Sequence, residues 1–161
     1  MAEDRFSAIE ARLADLEDRE AIRALIACYG PLADCGLASQ IAGLWVEGGS
    51  YAVGGMGEVK GREAIAGLID GPVHQALMQD GCAHLLGPVA IDLAGDRATA
   101  RGHSVVLRHT GAGFAVHRVS ANRWELVCGA DGWAVTRREN ALLDGDEAAR
   151  LLLIPPSAPH P

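Results

Sequence analysis

Aromatic residues are scarce: three Trp, two Tyr and two Phe make up 4% of the 161-residue chain. A core of this composition is expected to rest mainly on Leu, Ile, Val and Ala. Long apolar runs are also missing. Runs such as Leu151-Leu-Leu-Ile154 are far below the roughly 20 residues a membrane-spanning helix needs, so no membrane partner is expected. Met1-Ala-Glu-Asp-Arg5 is acidic and has no apolar segment, so no signal peptide is expected. Basic clusters do not exceed the pair Arg137-Arg138 and the net charge is −7, which leaves nucleic-acid binding without electrostatic support. The cysteines, Cys28, Cys35, Cys82 and Cys128, form no CxxC pair. Cys28 and Cys35 lie two helical turns apart, too far for a disulfide, and the expectation is four reduced thiols in a cytoplasmic protein.

Other chemistries fail on spacing. His103, His109 and His117 do not form the compact ligand pattern of a metal site, so neither a metal nor another cofactor is expected. Gly54-Gly55-Met56-Gly57 lacks the Gly-Lys-Ser/Thr of a phosphate loop and reads as a hairpin tip. Ser104 and Ser120 lack a nucleophile-elbow context.

What is present is a pattern of helices followed by strands. Phe6, Ile9, Leu13 and Leu16 recur at helical spacing over residues 4–18, and Ile22, Leu25, Ile26 and Tyr29 do so over 19–34, where Pro31 and Gly36 mark the end. A short helix is predicted over 37–45, a hairpin from 50–53 and 58–60, and short helices over 61–69 and 72–79. Strands are predicted over 82–93, 98–107, 114–127 and 133–140, separated by Gly95-Asp96, Gly111-Ala-Gly113 and Ala130-Asp-Gly132 turns. The whole chain, 1–161, reads as one α+β domain with a core over about 8–141 and a Pro-rich tail over 142–161 that could serve as a lid.

Within that frame Asp34 ends the second helical run among Leu32, Ala33 and Cys35, where a carboxylate is poorly solvated unless paired. A two-residue turn at 95–96 would pair residue 88 with 103 and 84 with 107. His84 and His103 would then share one sheet face, roughly 13 Å apart along the strands. A bulge at Gly87-Pro88 would move His84 to the other face. An aspartate orienting one histidine, with a second histidine and Tyr29 nearby, makes an acid–base site. The alternatives are half-exposed strand histidines, a helix-end Asp and a core Tyr.

Several segments taken together resemble the SnoaL-like branch of the nuclear-transport-factor-two-like superfamily. They are Leu16-Glu-Asp-Arg-Glu-Ala-Ile-Arg23 with Tyr29 and Asp34, Gly61-Arg-Glu-Ala-Ile65, Gly95-Asp96-Arg-Ala98, and Asp131-Gly-Trp133 with Arg137-Arg138. The resemblance implies a cone-shaped α+β barrel, a strongly bent, mostly antiparallel sheet wrapped around N-terminal helices with a deep apolar pocket. Within the superfamily the chain is most similar to scytalone dehydratase, the bile-acid dehydratases and the lindane dehydrochlorinases, which use an Asp–His dyad for cofactor-free β-elimination. Asp34 and His84 match the dyad, His103 a second polar residue on the next strand, Tyr29 a pocket tyrosine, and Arg138, or failing it Arg137, an arginine near the dyad. Trp45 and Tyr51 are expected with Arg138 at the substrate.

The expected function is a cofactor-independent dehydratase acting on a small hydrophobic carbonyl or phenolic substrate. His84 would serve as base, with His103 or Tyr29 protonating the leaving oxygen. An isomerase or polyketide-cyclase-like enzyme with Asp34 as direct base, and a non-catalytic module binding a hydrophobic ligand, remain open. The resemblance also implies a homotrimer.

Overall fold

A computed structural model of the protein describes residues 2–155. It opens with a 33-residue helix, α1 (Ala2–Asp34), followed by α2 (Ala38–Gly43), β1 (Trp45–Val53), β2 (Gly57–Lys60), α3 (Arg62–Asp70) and α4 (Pro72–Asp80). The sheet continues with β3 (Cys82–Leu86), β4 (Ala90–Ala94), β5 (Arg97–His109), β6 (Phe114–Gly129) and β7 (Gly132–Leu142), and a short α5 (Glu147–Leu151) closes the described chain. The seven strands run in the order β2-β1-β7-β6-β5-β3, with β4 also on β5. Among the described residues only the β1–β7 pairing is parallel. The fold is α+β, with the N-terminal helices packed on a curved, mostly antiparallel sheet.

The two helices expected over 4–18 and 19–34 are one. Nothing at the junction breaks a helix, and Asp15 and Arg19 pair across it at 2.8 Å in the favourable i,i+4 spacing. Pro31 sits in the last turn, and the helix runs on to Asp34. It stops in a Schellman motif. Gly36 takes φ +66°, its N–H bonds to the Ala33 carbonyl, and the Leu37 N–H bonds to the Leu32 carbonyl, both at 3.0 Å. This stop fixes the direction in which Asp34 leaves the helix.

The expected strand over 82–93 is interrupted at Gly87-Pro88-Val89 and forms β3 and β4. Both pair with β5 but in different register: His84 faces Val106, whereas Ile91 faces Ala100. The two pairings differ by one residue, the signature of a bulge. A second irregularity lies opposite Glu125 and Leu126, where Thr136 is the extra residue of β7.

Four of the seven aromatics are gathered in one place. Tyr29, Trp45, Tyr51 and Trp124 form one cluster with ring centroids 5.8–6.3 Å apart. Ile22, Ile26 and Ala33 of α1 complete the layer against Leu126 and Val135. The centre of the core is therefore aromatic, with the aliphatic residues expected from composition around it. Gly30 lets α1 approach the sheet closely, because a Cβ there would lie 2.1 Å from the His84 carbonyl oxygen.

The described tail does not reach the pocket. Ala149 and Leu152 are buried, and Arg123 donates to the carbonyls of Leu151 and Ile154. Arg123 alternates with the inward Asn122 and Trp124, so this segment lies on the outer face of the sheet. The proline-rich end of the suggested lid, 156–161, lies outside the described residues, as does His160.

Candidate active site

A cavity of about 270 Å³ opens between α3, α4 and the inner face of the sheet. This is close to the lower end of small-molecule sites. Leu68, Ile69, Val73 and Leu77 form its helical wall, while Tyr51, Ser104, Arg138 and Asn140 form its sheet wall.

Asp34 and His84 meet at this cavity. The Asp34 carboxylate accepts from His84 Nδ1 at 2.6 Å and from the His84 backbone N–H at 3.0 and 3.1 Å. The Cys82 thiol adds a longer contact at 3.6 Å. A carboxylate only accepts, so Nδ1 carries the hydrogen in the neutral ring and Nε2 keeps its lone pair. His84 lines the cavity and Asp34 stands behind it. Burial lowers the His84 pKa below the ordinary imidazole value, Asp34 opposes that shift, and His74 and Arg138 reinforce it. Burial and the nearby carboxylate push the Cys82 thiol up to about 11, so it remains S–H. Asp34, Cys82 and His84 are also a compact set of potential metal donors. In this geometry Asp34 is hydrogen-bonded to both of the others, and a protonated thiol is a poor ligand.

Arg138 is 2% exposed, yet no carboxylate pairs with it among the described residues. Its guanidinium lies 4.1 Å from the ring centres of Tyr29 and Trp124 and 4.6 Å from that of Tyr51. Nε and Nη2 donate to Asn122 Oδ1 at 3.2 and 2.8 Å. Nη1 has no partner among the described residues. Asn122 also accepts from Asn140 and donates to Ser104, so the polar groups of the sheet wall are locked to each other. A buried cation with one unmatched donor beside a cavity is suited to an oxygen that carries or gains negative charge. Burial pushes the Tyr51 hydroxyl above the phenol range, which keeps it a neutral donor.

Of the residues singled out from sequence, Asp34, His84, Tyr29, Tyr51 and Arg138 come together. Arg138 rather than Arg137 faces inward because the extra residue at Thr136 reverses the alternation of β7; Arg137 turns out to Glu58 and Glu139. His103 does not join them. It is exposed and faces away from the cavity, because the bulge at Gly87-Pro88-Val89 puts His84 on the face opposite to it. Ser104 takes the inward position instead. Trp45 is fully buried behind Tyr29 and Tyr51, with its Nε1 bonded to the Ser50 carbonyl, and does not line the cavity. His74, which has no pattern of its own in the sequence beyond its place on a short helix, belongs to the site as well. This α4 residue lines the cavity, its ring centroid is 5.4 Å from that of His84, and its Nε2 bonds to the Ala33 carbonyl at 2.8 Å. The last turn of α1 thus holds both imidazoles, one through Asp34 and one through Ala33.

The model of the SnoaL-like domain family matches residues 14–139. An NTF2-like protein with a cystatin-like fold from Novosphingobium aromaticivorans is 59% identical, with a TM-score of 0.90, and the match covers 92% of this chain and 96% of that one. A candidate scytalone dehydratase from the same species is 18% identical, with a TM-score of 0.66 over 78% of this chain and 84% of that one. ActVI-ORFA from Streptomyces coelicolor is also 18% identical, with a TM-score of 0.69 over 77% and 96%. The last two likenesses concern the fold alone. No curated protein sequence matches the chain. The chain belongs to the SnoaL-like family, on the NTF2-like fold. No helix among the described residues is long and apolar enough to cross a membrane.

Proposed function

We propose that the protein is a cofactor-independent lyase that eliminates water from a small, hydrophobic β-hydroxy carbonyl compound. The observation that carries this reading is the 2.6 Å Asp34–His84 contact, with His84 set in the wall of an apolar cavity. The Asp34 carboxylate holds the Nδ1–H tautomer, leaving His84 Nε2 to take the proton α to the carbonyl. The carbonyl oxygen gains charge and is stabilised by the positive charge of the Arg138 guanidinium and by the Tyr51 hydroxyl, both in the sheet wall of the cavity. The C–O bond at the β carbon then breaks, and the departing hydroxide takes a proton and leaves as water. His103 faces away from the cavity and His74 spends its Nε2–H on the Ala33 carbonyl, so this proton comes from Tyr29.

Two competing readings have less support. Asp34 as the direct base of an isomerase is disfavoured because the carboxylate lies behind His84 and does not line the cavity. A purely ligand-binding module gives no reason for an oriented imidazole beside an unmatched guanidinium. Four cysteines without a disulfide suit the cytoplasmic setting of this reading. Self-association belongs to it as well, with the trimer of the resemblance as the expected state. The test is the mass of the product formed from a β-hydroxy cyclic ketone. A product lighter by one water with the wild type, and at least about 10²-fold slower formation with His84→Ala, are expected. A product of unchanged mass would replace the lyase by an isomerase.

A further inference from the structure

The first half of α1 stands clear of the body. Phe6, Ile9, Leu13 and Leu16 are 54–67% exposed, and the first buried residue of the helix among the described residues is Ile22. The body first takes hold at Asp18, bonded by Trp133 Nε1, and Arg19, bonded to the Ile91 carbonyl. Single exposed apolar residues are ordinary on a protein surface; a stripe of four on one helix face is not. Their spacing of three, four and three is that of two heptads, with Phe6 and Leu13 at a and Ile9 and Leu16 at d.

The flanking charges point to what covers the stripe. In this frame the g positions are Arg5 and Arg12, and the e positions are Glu10 and Glu17. None of these four side chains makes an ion pair or hydrogen bond among the described residues. When two such helices lie parallel, each g residue faces the partner's e residue five positions on. Arg5 then meets the partner's Glu10, and Arg12 meets the partner's Glu17. An antiparallel pairing would set Arg against Arg and Glu against Glu.

We propose that copies of this chain associate through residues 5–17 of α1, packed in parallel with Phe6, Ile9, Leu13 and Leu16 in the seam. Two heptads are too short to hold as free peptides, because nucleating a helix is costly. Here Ile22, Ile26 and Ala33 anchor the second half of the same helix in the core, so the helix is already formed when the copies meet. A parallel seam is what a closed cyclic assembly produces when its axis runs along the helix.

Sedimentation of the full chain over a range of concentrations tests this. The wild type is expected to assemble, and Leu13→Glu to raise the dissociation constant about tenfold or more by putting a charge in the seam. Its circular dichroism and Tm as a monomer should be unchanged, since Leu13 touches solvent in the single chain. Orientation is read from Phe6→Cys in a chain with Cys28→Ser and Cys35→Ser, which should oxidise to a disulfide between two copies of the same residue. A wild type that stays monomeric, an assembly unmoved by Leu13→Glu, or a Phe6→Cys chain that does not link to itself would each overturn the proposal.

Discussion

Replacing Asp34 by Asn removes a charge with little change of shape. The carboxylate lies 2.6 Å from His84 Nδ1, and Asp34 and His84 side chains are only 26% and 15% exposed. If His84 becomes an imidazolium as it takes the α proton, the two charge centres are about 4 Å apart, worth roughly 4 kcal/mol at an effective dielectric near 20. Half of the charge developed in the transition state gives about 2 kcal/mol, so kcat is expected to fall between about 30-fold and 10³-fold. Turning the amide nitrogen toward Nδ1 would also invert the tautomer and add to the loss. KM should change little, because Asp34 does not line the cavity. The pH profile gives a second sign. His84 acts neutral, and burial lowers its pKa, so the acid limb of kcat/KM should fall below the ordinary imidazole value of about 6.5. Asp34 opposes that lowering, so Asp34→Asn should move the limb further down. Steady-state kinetics on a β-hydroxy ketone across pH measures both. A folded Asp34→Asn enzyme within about threefold of wild type, or one whose acid limb moves up, would refute the dyad.

Arg138→Met should abolish turnover while leaving Tm unchanged or higher, because a buried cation without a carboxylate partner is costly to the fold; a large drop in Tm by calorimetry would contradict this. Gly30→Ala should destabilise by about 1–3 kcal/mol, since the new Cβ collides with the His84 carbonyl, and a denaturant titration reads it. His103→Ala should keep kcat/KM within about twofold, as an exposed surface substitution does. Truncation after residue 145 should lower Tm, through loss of the buried Ala149 and Leu152, without raising KM; a raised KM would bring back a tail that covers the pocket.

The parts of the fold that depend on short-range pattern were legible. Turn residues separated the strands, Gly36 marked the end of α1, and Asp34 and His84 were readable as partners from a helix end and a strand start. What escaped depends on single-residue irregularities. One extra residue at Gly87-Pro88-Val89 removed His103 from the site, and one at Thr136 decided between Arg137 and Arg138. Gly87-Pro88 gave warning of the first, but alternation alone gives none of the second, and a slip of one residue reverses every later side chain. His74 was hard to see because α4 has no buried residue and so no apolar stripe to orient it. Ser104, Asn122 and Asn140 did leave a trace: polar residues at inward positions of otherwise apolar strands, which need each other once buried.

The most direct test of His84 as the base is the fate of deuterium at the α carbon of a labelled β-hydroxy ketone. With the wild type, label should pass to solvent as water is lost, with a primary isotope effect on kcat/KM when bond breaking limits the rate, and His84→Ala should lose both label release and dehydration together. A dehydrated product that keeps both α deuteriums, as loss of a γ proton would leave, or label release at the wild-type rate by His84→Ala, would contradict it.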